Sequence, residues 1–193
     1  MAKLYFKYGA MGSSKTAQAL ITKFNYEERG MRVWLIKPEI ETRDGEFVRS
    51  RIGLEAKAEL IGKGADIKAL FEAKKETPDV IIADECQFFE KAQIDELRAI
   101  VDEKSTPVLA FGLRTDFRTE LFEGSKRLFE LADSISEIKT ICECGRKATV
   151  NARVDENGSV LTEGDQVFLG GNESYTALCH RCYKERINGK GKF

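Results

Sequence analysis

The stretch that most constrains the fold lies near the start, where the apolar run Leu4-Tyr5-Phe6-Lys7-Tyr8 meets Gly9-Ala10-Met11-Gly12-Ser13-Ser14 and then Lys15-Thr16. It reads as a strand, a phosphate-binding loop and the start of a helix. A phosphate needs a concave backbone with converging N–H groups, a cation, and a hydroxyl able to hold magnesium. Gly9 and Gly12 permit the turn, Lys15 supplies the charge and Thr16 the hydroxyl, while residues 17–29 follow as a helix whose N-terminal end favours anions. The pattern G-x-x-x-x-G-K-[ST] is met except at Ser14, which puts a Cβ where the backbone approaches phosphate. The alternative reading is a Gly/Ser strand-to-helix turn followed by an ordinary surface Lys-Thr.

Beyond the loop, strand and helix patterns alternate. Met31 to Lys37 is a second buried strand ended by Pro38, and residues 38–53 form a long polar connection carrying Arg43, Arg49 and Arg51. Helical spacing returns over Ile67 to Lys75, residues 91–103 and residues 124–131, and strands are predicted over Asp79 to Glu85, Pro107 to Gly112 and Asp133 to Ile138. This order predicts an α/β class with a mostly parallel sheet covered on both faces and ligands at the strands' carboxyl ends. The pattern breaks at Cys142; the rest, to about residue 187, is turn-rich with strand-like pieces at Ala148 to Val154 and Gln166 to Leu169, and residues 188–193 read as a frayed tail. The expected organisation is a nucleotide-binding domain over 1–140 and a small metal-stapled domain over 141–193. A chain of 193 residues suffices for one such core plus an appendage. The net charge of −1 offers no global basic field for nucleic acid or an anionic membrane. Without a membrane-length apolar run or a secretory leader, the expectation is a cytoplasmic protein.

Asp84-Glu85 ends an apolar strand, Val80-Ile81-Ile82-Ala83, on the edge where the phosphate loop emerges. An acid there can hold hydrated magnesium, the role suited to Asp84, and its neighbour Glu85 can take a proton from an attacking hydroxyl. The plainer reading is a polar cap on a strand. Cys142 and Cys144 form one close pair and Cys179 and Cys182 another, with 34 residues between Cys144 and Cys179. Four thiolates make a closed tetrahedral zinc site, which is structural because no position is left open; two disulfides are the alternative. His180, the only histidine, is expected to face solvent, and Cys86 to be a small buried residue. Phe88, Phe89, Phe117 and Phe122 gather flat rings near the same edge, suited to a nucleobase or to plain core packing.

Taken together, the phosphate loop, Asp84-Glu85-Cys86-Gln87-Phe88-Phe89, Gly112-Leu113-Arg114-Thr115-Asp116-Phe117-Arg118, the cysteine pairs and Gly170-Gly171-Asn172-Glu173-Ser174-Tyr175 resemble the type II thymidine kinases over nearly the whole chain. That resemblance implies a RecA-like P-loop core with a zinc-binding lasso, and transfer of the ATP γ-phosphate to the 5′-hydroxyl of thymidine or deoxyuridine with Mg²⁺. It makes Glu85 the general base and Thr16 with Asp84 the magnesium pair. Gly9, Ala10, Met11, Gly12, Ser13, Ser14, Lys15, Thr16, Arg43, Asp84 and Gln87 would serve ATP and its phosphates. Met11, Phe88, Leu113, Phe117, Phe122 and Tyr175 would form the nucleoside pocket, with the lasso residues Gln166, Val167, Phe168, Leu169 and Gly170 on the base. Arg153 would belong to the nucleoside side or near the phosphates. It further implies a homotetramer inhibited by thymidine triphosphate. The rival class is a P-loop ATPase whose zinc ribbon contacts nucleic acid or a partner; a third possibility is a kinase degenerated at Ser14.

Overall fold

The computed structural model describes residues 1–41, 44–166 and 174–189. In chain order, the core elements are β1 (Leu4–Tyr8), α1 (Lys15–Glu27), β2 (Val33–Pro38), β3 (Phe47–Arg49), β4 (Glu55–Lys57), β5 (Glu59–Ile61), α2 (Ile67–Glu72), β6 (Val80–Ala83), α3 (Lys91–Lys104), β7 (Val108–Gly112), α4 (Glu123–Leu131) and β8 (Ser134–Glu137). A short 3₁₀ turn, Cys86–Phe88, follows β6. Among the described residues, six strands form a parallel sheet in the order β5-β2-β6-β7-β1-β8. The sheet is parallel because crossovers return each strand to the same edge, by way of a helix except from β2 to β5, where the β3–β4 hairpin intervenes. Consequently β1 and β6, which flank β7, release the phosphate loop and the acid pair at one rim.

Side-chain alternation along the strands divides the core. Leu4 and Phe6 of β1, Ile81 and Ala83 of β6, and Val108 and Ala110 of β7 face α2, α3 and α4, where Ile94, Leu97, Ile100 and Leu128 pack on them. Leu35, Val80, Ile82, Leu109 and Phe111 face the other way, onto Ala19 and Leu20 of α1. Two-sided burial explains why β6 and β7 read as unbroken apolar runs. No helix among the described residues is long and apolar enough to cross a membrane.

The C-terminal part holds β9 (Thr140–Ile141), β10 (Lys147–Ala148), β11 (Val150–Val154), β12 (Val160–Leu161), β13 (Tyr175–Leu178) and α5 (His180–Ile187). Strand β11 lies between β12 and β13 in an antiparallel sheet, with Asn151 opposite Ala177 and Arg153 opposite Tyr175. Val150, Ala152, Leu178 and Tyr183 pack with Cys142 and Cys179 into a separate apolar cluster.

Three expectations need correction. The connection over 38–53 is not unstructured: β3 pairs with β4 as a hairpin, docked because Val48 is 3% exposed and packs with Ala58 on the α1 face. Strand β5 extends the main sheet beyond β2, although its three residues carry too little alternation to be read. The turn-rich C-terminal segment contains a helix, α5, whose first residues are set by the Cys179 cap. Gln166 stands outside any strand, and the remainder of that expected strand, Val167 to Leu169, lies outside the described residues.

Gly124, in the first turn of α4, marks a close approach of helix to backbone in the core. A Cβ there would meet the carbonyl oxygens of Cys86 at 2.5 Å and Phe89 at 2.7 Å, so α4 can lie against the 3₁₀ turn only if this residue lacks a side chain. Gly124→Ala is expected to destabilise the fold by about 1–3 kcal/mol through overpacking, despite the better helix propensity of alanine. Urea unfolding measures this, and a stabilised variant would contradict the packing argument.

Candidate functional site

The loop after β1 is shaped by backbone constraints. The Gly9 N–H donates to the Gly112 carbonyl at 3.2 Å, and a Cβ on Gly9 would collide with the Ile138 carbonyl and the Ser13 hydroxyl. Gly12 has φ +71°. Ser14, the N-cap of α1, has φ 61° and ψ 26°, the left-handed region. Glycine suits that position because of this backbone conformation; serine adopts it at a cost of about 1 kcal/mol. Lys15 is 8% exposed, and its Nζ donates to the Ala10 carbonyl at 2.9 Å and to Ser13 Oγ at 3.4 Å. Burial pushes its pKa down, while Glu85 and Asp84 act in the opposite direction. The surface Lys-Thr alternative is therefore set aside.

Asp84 follows directly on β6 and is 3% exposed. Its pKa is pushed up to about 7, by burial foremost and by the neighbouring Glu85, against the lowering effect of a hydrogen bond from Thr16. Thr16 and Asp84 are thus already in contact. Glu85 has φ 50°, a left-handed conformation uncommon for a non-glycine residue. Gln87 Nε2 donates to Glu85 Oε2 at 2.6 Å, and Gln87 Oε1 accepts from the Leu113 N–H at 2.9 Å. Gln87, expected at the phosphates, thus braces the acid against the loop after β7 while lining the same cavity as the phosphate loop. Burial raises the Cys86 thiol well above its ordinary value, which keeps it inert, and His180 is exposed.

The loop after β1, the acid pair and Gln87 line one cavity of about 330 Å³. Met11, Gly12, Ser14, Lys15, Thr16, Asp84 and Glu85 line it together with the apolar and aromatic side chains of Phe88, Leu113, Phe117, Phe122 and Tyr175, with Gln166 also on the wall. Phe88 and Phe122 meet edge to face, with centroids 5.5 Å apart and planes at 79°. Arg153 stands behind this wall: its guanidinium lies 3.9 Å over the Phe117 ring centroid and donates to the Tyr175 hydroxyl at 2.7 Å. Arg43 and the lasso residues Val167, Phe168, Leu169 and Gly170 lie outside the described residues. Lys37, Glu41 and Asn151 are also on the cavity wall and were not foreseen, and Thr115 and Asp116 were foreseen only as part of the Gly112 to Arg118 motif, with no role assigned; Asn151 reaches the wall by a tertiary contact without a local signature.

The four C-terminal cysteines converge. One sulfur from each of Cys142, Cys144, Cys179 and Cys182 lies within 4.8 Å of the others. Cys144 and Cys179 sulfurs are 3.7 Å apart, too far for a disulfide, whose S–S length is about 2.05 Å. A tetrahedral zinc bound at about 2.3 Å sets its sulfurs about 3.8 Å apart, so the donor set and spacing fit that ion. The Cys182 N–H at the start of α5 donates to Cys179 Sγ at 3.5 Å and lowers that thiol's pKa, favouring the thiolate a metal needs.

A lysine-threonine loop between a parallel strand and a helix, facing a buried acid from a second strand, defines a P-loop nucleotide-binding α/β protein, here with a four-cysteine metal centre. The comparison with known proteins narrows this class. The family model for thymidine kinase matches residues 2–183. The chain is 49% identical over 190 residues to the thymidine kinase of Yersinia pseudotuberculosis, covering 97% of each chain. It is 48% identical over 192 residues to that of Vibrio cholerae, covering 97% of this chain and 99% of the relative. It is also 46% identical over 194 residues to that of Legionella pneumophila strain Paris, covering 98% and 93%. The chain belongs to the thymidine kinase family.

The raised pKa of Asp84 has a thermodynamic sign. In metal-free protein the folded state retains a proton that the unfolded chain releases near the ordinary carboxylate value of 3.8, so stability falls as pH rises from about 4 to about 7 and levels off above. Asp84→Asn removes this contribution and is expected to flatten the decline of the unfolding midpoint between pH 5 and 8. An unchanged slope in the variant would contradict the buried-acid assignment.

Proposed function

We propose that the protein phosphorylates the 5′-hydroxyl of thymidine, and of deoxyuridine, with ATP as donor. The observation that carries this reading is the shared cavity: Lys15, Thr16, Asp84 and Glu85 line it together with a set of aromatic and aliphatic side chains. A phosphate cradle and a nucleobase-sized apolar pocket in one cavity suit a donor triphosphate and an acceptor nucleoside meeting between them. Membership of the thymidine kinase family supports the choice of acceptor.

In this reading, the amides of Gly9 to Thr16 and the Lys15 ammonium grip the phosphates. Thr16 and Asp84, already hydrogen-bonded to each other, would hold magnesium, whose charge offsets that of the phosphates when bound. Glu85, oriented by Gln87, accepts the proton of the 5′-hydroxyl as that oxygen bonds to the γ-phosphorus and the bond to the β-phosphate oxygen breaks. Phe88, Leu113, Phe117, Phe122 and Tyr175 hold the nucleoside, with Arg153 bracing Phe117 and Tyr175 from behind. Little covalent work falls to the protein; positioning and charge compensation dominate.

Residues 141–193 are read as a unit that closes over the base, organised by zinc on Cys142, Cys144, Cys179 and Cys182, with the backbone from Gln166 to Gly170 and the segment carrying Arg43 completing the site. A cytoplasmic homotetramer inhibited by thymidine triphosphate is the working assembly, on the strength of the resemblance alone.

A phosphorylation assay over the common nucleosides with ATP and Mg²⁺ tests reaction and acceptor together. Thymidine is expected to be phosphorylated, and Glu85→Gln to lower kcat by about 10²–10⁴-fold with little change in the KM for thymidine. Wild-type turnover in that variant would reject Glu85 as base, whereas no thymidine phosphorylation by the native chain would reject the function.

A further inference from the structure

Asn151 sits in the middle of β11, on the C-terminal sheet, yet its side chain is spent on the nucleotide core. It is 3% exposed. Its Oδ1 accepts from the Met11 N–H of the phosphate loop at 2.8 Å, and its Nδ2 donates to the Thr115 carbonyl at 2.8 Å. A donor at one end and an acceptor at the other fix the orientation of the amide, since reversing it would face two donors and two acceptors against each other. The position of Asn151 is in turn set from the cysteine side. It pairs with Ala177 on β13, which leads to Cys179, and its neighbours Val150 and Ala152 pack in the cluster containing Cys142 and Cys179.

Other contacts bind the same partners. Tyr183, one residue after Cys182, donates its hydroxyl to the Phe117 carbonyl at 2.8 Å. The Thr140 hydroxyl, just before Cys142, donates to the Gly12 carbonyl at 3.2 Å, but that contact is exposed and accordingly weaker. Among the described residues, the better shielded connection from the C-terminal sheet to the phosphate loop is therefore Asn151, itself buried, on the half-buried Met11 N–H.

We propose that Asn151 is a positioning residue that fixes the phosphate loop from the C-terminal sheet, so that nucleotide affinity depends on the four-cysteine centre. This rests on reading the loop as the nucleotide site. A half-buried N–H left without its acceptor turns toward water, and the loop amides then lose the shape that a phosphate requires. Loss of the metal centre frees β11 and has the same consequence by the same route, which makes zinc matter to the phosphates as well as to the base.

The test is a thermodynamic cycle read by calorimetric titration of magnesium ADP into wild type and Asn151→Leu, each zinc-loaded and zinc-stripped. Asn151→Leu is expected to weaken ADP binding roughly tenfold, and zinc stripping to weaken it comparably in wild type but to add little in the variant. Wild-type affinity in zinc-loaded Asn151→Leu, or equal losses on stripping in both proteins, would overturn the proposal. Hydrogen exchange on the wild-type chain tests the link without any substitution. The Met11 amide is expected to be protected when zinc is bound and to exchange at least tenfold faster after stripping, with the Phe6 amide unchanged. Met11 protection indifferent to zinc overturns the proposal. If zinc-loaded wild type binds no ADP, the nucleotide reading itself has failed, and the Met11 exchange still decides whether the tie exists.

Discussion

Everything at this site depends on holding an ammonium, Lys15, and a carboxylate, Asp84, together out of water, with a second, half-buried carboxylate, Glu85, beside them. Lys15 and Asp84 are buried, and each alone carries a desolvation cost; their pKa values move in the directions that burial dictates, Lys15 down and Asp84 up. Two acids beside one lysine leave the cavity with an excess of negative charge when all are ionised. A triphosphate would add more, which is why the proposed reading places a divalent cation on the Thr16–Asp84 side. In the proposed reading, the donor would arrive with its own divalent cation, and Glu85, held by Gln87, would take the proton of the acceptor. The cost of assembling such a cluster falls on the parallel sheet, whose rigid strand ends are what fix Lys15 and Asp84 opposite one another.

A second buried pair extends the same logic to the rim. Lys37, at the end of β2 and 1% exposed, donates to Glu41 Oε2 at 3.0 Å and to the Phe47 carbonyl at 2.9 Å. That pins the β3–β4 hairpin to the core strand that precedes it. The turn of the hairpin carries Arg51 to within 3.8 Å of where a Gly12 side chain would begin, and its charge acts on Lys15. Buried ion pairs add little net stability, but breaking one leaves an uncompensated charge, so the pair fixes geometry more than it adds energy.

What could be read from the sequence was what is written locally. The loop from Gly9 to Thr16, the acids after β6, the cysteine pairs and the alternation of β2, β6, β7 with α1, α3, α4 each leave a signature within a dozen residues. The hairpin was hidden because Val48 is its one deeply buried apolar residue, and α5 because its polar composition masks a helix that a cysteine cap begins. Asn151 and Tyr183 were illegible for another reason: their partners lie 140 and 66 residues away, and no periodicity encodes such a meeting. Ser14 shows the converse error. Its departure from glycine was legible, but the relevant constraint is a positive φ, which only the backbone reveals.

The central claim is that acceptor hydroxyl, Glu85 and phosphate cradle share one cavity. A crystal structure with thymidine, magnesium and a non-hydrolysable ATP analogue measures this directly. The account expects the 5′-oxygen within about 2.6–3.2 Å of a Glu85 carboxylate oxygen, with the γ-phosphate on its far side against Lys15. A thymidine seated elsewhere, or a Glu85 carboxylate turned away from the 5′-oxygen in that complex, would contradict it.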